Sequence, residues 1–482
     1  MIDFRPISFI LGILVSILAV MMLGPAVVDF FSGNQDWEVF AVSASVTFFI
    51  GISLVISSRA AKVALSVRGA FVLTTLSWVV LTIFAALPFS FAQTHMSFSD
   101  SFFEAMSGIT TTGATVMFNL DTAPPGLLLW RSLLQWLGGI GIIVMALAVL
   151  PFLRVGGMQL FRMESSDQAD KALPRTAHIA AVIGAIYFGL TIFIAFALYL
   201  AGLSGFDSIT HAMTTIATGG FSNHDSSFSY FDNYLVELIT VLGMVLGSLP
   251  FLLYLSVLQG KYKTIIRDSQ VRWFLMVLIF VVVFVTIWLW AGNQRDLGES
   301  FRMSLFNVVS IMTGTGFKTE AFDSWGSFSI PIFFFIMFIG GCAGSTTCGI
   351  KIFRFQVLYA AAKTQFENLA HPHGVFIPYY NGNPISDEVI KSVMSFFFVF
   401  GMTFALLAVG LALMGIDFLT AVSAAASAIS NVGPGLGPII GPEGNYSSLP
   451  DSAKWLLSAG MLLGRLELFT VIVLFTRAFW KA

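Results

Sequence analysis

The chain has 482 residues, of which 57% are Ala, Val, Ile, Leu, Met, Phe, Trp, Tyr or Cys and only 10% are charged. Soluble domains carry about 25% charged residues, so this composition, with 50 Phe and a mean hydropathy of +0.87, excludes an ordinary soluble fold. A net charge of −2 offers no basic surface for nucleic acid, and two cysteines, Cys342 and Cys348, cannot build a disulfide framework.

Ten apolar stretches follow in chain order, near 7–31, 39–57, 69–92, 126–150, 177–203, 234–258, 272–292, 328–350, 390–415 and 454–476. Each approaches the ~20 residues that cross about 30 Å of hydrocarbon, which predicts a multi-pass, all-α membrane protein. The first is too long for a signal-peptide core and lacks a small-residue cleavage site, so it is expected to be a retained helix. Lys and Arg collect in alternate connections: Arg59, Lys62 and Arg68; Arg154, Arg162, Lys171 and Arg175; Lys261, Lys263, Arg267 and Arg272; Lys351, Arg354, Lys363 and Lys391. The positive-inside rule makes these cytoplasmic and places both termini there. Four of the opposite connections, 93–125, 204–233, 293–327 and 416–453, are unusually long. Each begins with a semi-apolar stretch too short to span and ends in a small-residue turn. That pattern fits a re-entrant helix returning as irregular backbone, which membranes tolerate only inside protein or beside water.

These four connections are copies of one another. Aligning Gly113, Gly220, Gly316 and Gly433 puts a hydroxyl six residues earlier in every copy (Ser107, Thr214, Ser310, Ser427) and an apolar residue four earlier (Ile109, Ile216, Met312, Ile429). The expected architecture is four helix–pore-helix–filter–helix repeats in one chain around a central pore, plus two extra N-terminal transmembrane helices. The corresponding segments are 1–60 for the helix pair and 61–155, 156–260, 261–370 and 371–482 for the repeats. A ring of backbone carbonyls replaces the water around an alkali cation without a fixed charge to trap it, and glycine reaches the φ values that turn neighbouring carbonyls to one axis. The expected cation site is therefore the glycines with the two residues before each: Thr111, Thr112 and Gly113; Thr218, Gly219 and Gly220; Gly314, Thr315 and Gly316; Asn431, Val432 and Gly433. The pore helices would add their partial negative ends.

With TTTGAT at 110–115, GGFSNHD at 219–225, TGTGF at 313–317, GGCAGST at 340–346, NVGPGLG at 431–437 and GRLE at 464–467, the chain resembles the Trk/Ktr/HKT superfamily of potassium transporters, most of all the bacterial TrkH/TrkG potassium-uptake subunits. The resemblance implies potassium uptake across the bacterial cytoplasmic (inner) membrane, with filter glycines at Gly113, Gly220, Gly316 and Gly433. It also implies a homodimer and a cytosolic, TrkA-like nucleotide-binding regulatory subunit, for which 154–175, 261–272 and 351–391 are the available surfaces. A coupled cation symporter, moving K⁺ with H⁺ or Na⁺, is the alternative; it predicts related halves, whereas this sequence shows quarters.

Arg465 lies within the last span, where a charge costs at least ~2.5 kcal/mol unless it meets water or a partner. It is expected to face the pore or to pair with Glu467 or helix-end carbonyls. The small residues Gly340, Gly341, Cys342, Ala343, Gly344, Ser345, Thr346, Thr347, Cys348 and Gly349, ending at Lys351, interrupt a span; alone they allow close helix packing. The resemblance implies an intramembrane gating loop under the filter, with Arg465 beside it, although Thr347 and Cys348 replace glycines frequent in the family. Glu104 and Arg131 are expected to form a structural ion pair, His211 to be a satisfied buried histidine, and Lys318 to sit at the outer mouth. No dinucleotide loop, nucleophile or cluster of metal-binding side chains is visible, so no enzyme activity and no cofactor beyond transported K⁺ is expected.

Overall fold

The computed structural model describes residues 3–59, 66–148, 172–292 and 295–481. The basic residues Lys62, Arg154, Arg162 and Lys171 lie outside them. Seven helices in the described residues are long and apolar enough to cross a membrane, and two more helix pairs form bent spans. Their outward faces are apolar: Phe49, Phe280 and Phe398 are exposed, as residues that meet lipid rather than water would be.

Arg5–Phe31 and Asp36–Ser57 form a hairpin outside the repeats. Gly12 and Gly51 let its helices touch, since a side chain on Gly12 would lie 2.7 Å from the Gly51 carbonyl oxygen. Two buried carboxylates dock the hairpin on the first repeat. Asp29 accepts from the Gly126 N–H at 2.7 Å, at the start of helix Pro125–Ala148, and Asp36 accepts from the Gln93 N–H at 3.1 Å.

Each repeat then supplies an outer helix (Val67–Phe91, Ala172–Leu200, Ser269–Gly292, Asp387–Leu413) and a short re-entrant helix (Phe98–Ile109, Gly205–Ile216, Leu297–Met312, Phe418–Ser430). An inner helix follows. That of repeat 1 packs on the re-entrant helix of repeat 2, that of repeat 2 on repeat 3, and that of repeat 4 back on repeat 1. The repeats therefore close into a ring.

The inner helices of repeats 2 and 4 depart from the sequence expectation of continuous spans, while that of repeat 3 is interrupted where the small residues of 340–351 are expected to break it. In repeat 2, Tyr234–Ser248 and Phe251–Leu258 meet at 95° across Leu249 and Pro250, because proline offers no N–H and drives the preceding residue out of the helical region. In repeat 4, Asp451–Arg465 and the following Phe469–Phe475 segment meet at 107°, with Glu467 and Leu468 at positive φ. In repeat 3, only Ser329–Ile336 of the expected 328–350 span is α-helical; 340–351 is irregular, and Ile352–Ala370 resumes as helix. A small hairpin pairs Tyr379–Tyr380 with Asn383–Pro384.

Candidate functional site

Each re-entrant helix begins on a side-chain cap. Ser97, Ser204, Asp296 and Asp417 accept from the N–H groups of Asp100, Asp207, Gly298 and Thr420 at 2.9–3.1 Å. A cap of this kind satisfies one of the orphan amides of the first turn. Each helix ends in the same way too. The N–H of the residue before the aligned glycine reverses to the carbonyl of the hydroxyl residue: Thr112 to Ser107, Gly219 to Thr214, Thr315 to Ser310 and Val432 to Ser427, at 2.8–3.1 Å.

Beyond that reversal the four turns share one backbone signature. The residue two before each glycine (Thr111, Thr218, Gly314, Asn431) and the glycine itself have positive φ, and the residue between them does not. The turns interlock in order. A Cβ on Gly113 would lie 2.3 Å from the Gly219 oxygen, on Gly220 1.8 Å from the Thr315 oxygen, on Gly316 2.2 Å from the Val432 oxygen, and on Gly433 2.8 Å from the Thr112 oxygen. So each aligned glycine faces the carbonyl of the next repeat's middle residue, and the fourth faces the first. At each of these places an L side chain would force its neighbour to shift. The four glycines, one from each repeat, line one cavity of about 130 Å³ bounded by the segments that follow the turns.

The support behind this ring is not fourfold. Ser310 Oγ donates to the Phe317 carbonyl at 2.6 Å and Ser427 Oγ to the Gly433 carbonyl at 2.8 Å, whereas Thr214 bonds back to its own helix. Gln135, which sequence reasoning did not single out, fills the place of a Gly219 side chain. Its Nε2 donates to the Gly219 carbonyl at 2.5 Å and its Oε1 accepts from the Phe221 N–H at 3.0 Å. Asn431 Nδ2 ties the fourth turn to Thr112 Oγ1 at 2.8 Å and to the Met461 carbonyl at 2.9 Å.

The expected Glu104–Arg131 pair is present and fully buried, Nε to Oε1 at 2.8 Å. Arg131 also donates to the Ser222 carbonyl at 2.7 Å, and Glu104 accepts from the Val116 N–H at 2.9 Å, so the pair braces the segments after the first two turns. Both ring nitrogens of His211 have partners, the Asp207 carbonyl at 2.9 Å and Ser222 Oγ at 3.0 Å. His224 Nδ1 meets Asp121 at 2.6 Å and its Nε2 stands 3.6 Å from Asp207. Burial pulls the His224 pKa down, but the two carboxylates outweigh it and hold it above the ordinary value.

Below the turns, 340–351 fits into the break of the second inner helix. Cys342 N–H donates to the Ser248 carbonyl, Thr346 N–H to the Gly247 carbonyl and Phe251 N–H to the Gly344 carbonyl, at 2.9–3.1 Å. The Thr346 hydroxyl lies 3.0 Å from the Ile216 carbonyl and accepts from Thr218 Oγ1 at 3.1 Å, which joins the loop to the second turn. Lys351 Nζ donates to the Thr347 carbonyl. Arg465 is 2% exposed and donates to the Thr346 and Gly138 carbonyls, each at 3.0 Å, and to Cys348 Sγ. It therefore meets loop and helix carbonyls, while Glu467 pairs with Arg354 at 2.5 Å. Both cysteines are free and buried.

Sequence reasoning missed one recurring contact. Gly138, Gly247 and Gly464 on the inner helices seat against the last carbonyls of their re-entrant helices, where a Cβ would come within 1.9, 2.8 and 2.1 Å of the Ile109, Ile216 and Ile429 oxygens.

The sequence model of the TrkH family, described as a cation transport protein, matches residues 38–481. Among curated proteins, the Trk system potassium uptake protein TrkI of Halomonas elongata is 45% identical over 99% of this chain and 97% of its own length. The Trk system potassium uptake protein TrkH of Escherichia coli K12 is 37% identical over 99% of both chains. The crystal structure of the potassium transporter TrkH from Vibrio parahaemolyticus superposes with a TM-score of 0.93 at 36% identity, covering 99% of this chain and 100% of that one.

Proposed function

The chain belongs to the TrkH family of potassium-uptake transporters and is a multi-pass membrane protein; from that premise we propose that K⁺ crosses it through the axis of the four-turn ring. The observation that carries this reading is the shared backbone signature of the turns together with their cyclic closure around one cavity. Alternation of positive and negative φ turns successive carbonyls to one side, and four such strands offer the oxygens that replace an ion's hydration. The site consists of the twelve residues 111–113, 218–220, 314–316 and 431–433. Each repeat carries one aligned glycine where a K⁺ channel strand has two, so K⁺ and Rb⁺ pass comparably and Na⁺ is only partly excluded.

Beneath the ring, the loop 340–351 with Arg465 is the obstruction. A guanidinium in the path of a cation repels it by about 4 kcal/mol at 4 Å and an effective dielectric of 20, which slows transit strongly. The chain sits in the bacterial cytoplasmic membrane with both termini inside, where the membrane potential drives K⁺ inward by about 2.3 kcal/mol per 100 mV. It works as a homodimer. A cytosolic, TrkA-like nucleotide-binding subunit acts on the basic connections 154–175, 261–272 and 351–391, since this chain carries no dinucleotide-binding motif of its own.

The test is ion flux into liposomes holding the purified protein, with the regulatory subunit present or absent. Uptake of K⁺ and Rb⁺ driven by an inside-negative potential alone supports the reading. Uptake that requires an H⁺ or Na⁺ gradient replaces it with a coupled symporter.

A further inference from the structure

The position two residues beyond the aligned glycine distinguishes the repeats. It is Thr115 in the first, Ser222 in the second, Lys318 in the third and Gly435 in the fourth. Thr115 and Ser222 are absorbed into hydrogen bonds with Glu104 and His211. Gly435 has no side chain. Lys318 alone brings a charge to this position.

Its backbone is anchored across the boundary between repeats: the Phe228 N–H donates to the Lys318 carbonyl at 3.0 Å, and the Lys318 N–H reaches Ser227 Oγ at 3.3 Å. Lys318 lines the cavity that the four glycines line. Of the cavity's other basic lining groups, Arg131 is neutralised by Glu104, and His224 is paired with Asp121 and Asp207. Asp225 and Glu443 line the same cavity, yet among the described residues Lys318 makes no ion pair and no side-chain hydrogen bond.

Resting on the proposed pore, we infer that Lys318 is a tethered ammonium that sets the potential of the outer mouth, holding down its affinity for K⁺ and excluding divalent cations. Asp225 and Glu443 draw cations toward the ring, and a cavity with protein walls focuses such a field. The ammonium opposes them. Because the energy of an ion in a potential scales with its charge, a factor gained for K⁺ on removing Lys318 is squared for Ca²⁺. Without Lys318, a mouth carrying two carboxylates would concentrate the very ions that a carbonyl ring cannot pass. The lysine thereby trades affinity for freedom from divalent block.

The experiment measures Rb⁺ uptake in liposomes against external K⁺ and external Ca²⁺ for the parent, Lys318→Gln and Lys318→Arg. The expected result for Lys318→Gln is a half-saturating K⁺ concentration about three- to tenfold lower, a maximal rate within about twofold of parental, and Ca²⁺ inhibition sharpened by the square of the K⁺ factor. Lys318→Arg stays parental on all three. A Lys318→Cys variant covers the case where the glutamine protein elutes as a different oligomer. Its modification by an aminoethyl thiosulfonate restores a tethered ammonium and the parental constants, and a neutral reagent of like size does not; Cys342 and Cys348 are buried, and the treated parent is the control. Parental K⁺ and Ca²⁺ constants in an active Lys318→Gln, or equal effects of the charged and neutral reagents, overturn the inference. Parent liposomes that take up no Rb⁺ with the regulatory subunit either present or absent overturn the proposed pore instead, so the two failures are distinguishable.

Discussion

Alanine substitution of the four aligned glycines gives a graded series whose order follows from the geometry. All four glycines have positive φ, where an L side chain costs about 1–2 kcal/mol. That cost is shared, so it does not rank them. The collision does. A new methyl would start 1.8 Å from the facing carbonyl oxygen at Gly220, 2.2 Å at Gly316, 2.3 Å at Gly113 and 2.8 Å at Gly433, and real Cβ contacts do not fall below 3.0 Å. The carbonyl facing Gly220 must therefore retreat farthest, and the one facing Gly433 has only a small adjustment to make. Thr315, whose oxygen meets Gly220, is fully buried and held by the Ser310 carbonyl and the Thr313 hydroxyl, so it has little room to yield. In the proposed pore an oxygen pushed that far off the axis no longer replaces ion hydration, so Gly220→Ala should lower Rb⁺ uptake at least about tenfold and Gly433→Ala about two- to threefold. Uptake per folded protein is read in liposomes, after each variant is shown to elute as the parental oligomer. Equal losses at all four positions, or the largest loss at Gly433, would refute the cyclic contact order.

Arg465→Ala and deletion of 344–349 should each speed uptake while keeping the preference for K⁺, because neither removes a residue of the ring; parental flux from correctly folded protein would leave both as structural elements. Glu104→Gln leaves the Arg131 guanidinium uncompensated at 1% exposure and should cost about 3–5 kcal/mol, read as a lowered melting temperature in detergent. His224→Asn probes pH. The folded-state pKa of His224 is raised, so its contribution is complete below the ordinary value of 6.5 and fades as pH rises through the folded value. The difference in melting temperature between parent and variant should therefore be widest in acid and shrink at alkaline pH; a pH-independent gap would assign His224 a packing role against Tyr230, whose ring lies 3.5 Å away.

The repeat was legible because a fourfold register of glycine, hydroxyl and apolar residue is a periodic signal, and Gly113, Gly220, Gly316 and Gly433 needed no tertiary information to be aligned. The second left-handed position was not. Gly314 and Asn431 are residue types that enter this region readily, whereas Thr111 and Thr218 adopt it against their own preference. The inner-helix glycines Gly138, Gly247 and Gly464 each stand at a different separation from the aligned glycine of their repeat, so no fixed spacing exposes them. Pro250 carried a readable signal for the 95° bend. The bend near Glu467 carried none, since it depends on a partner, Arg354, that lies 113 residues away.

On the proposed pore, the departures from fourfold symmetry are what make an obstruction possible. Repeats 1, 2 and 4 seat an inner-helix glycine on the end of their re-entrant helix; repeat 3 unwinds instead, and its loop enters the break of repeat 2. Each irregular segment satisfies the other. Withdrawing the loop strips partners from the Gly247 and Ser248 carbonyls and the Phe251 N–H, and each unpaired buried group costs about 1–3 kcal/mol. The helix cannot close over the gap, because Pro250 has no N–H to give. Water must then take the loop's place, and water at that depth is what the proposed pore requires for a cation leaving the ring. On the proposed pore, the break in repeat 2 would therefore do two jobs: it would store the loop when the path is shut, and it would compel the path to wet when the loop leaves.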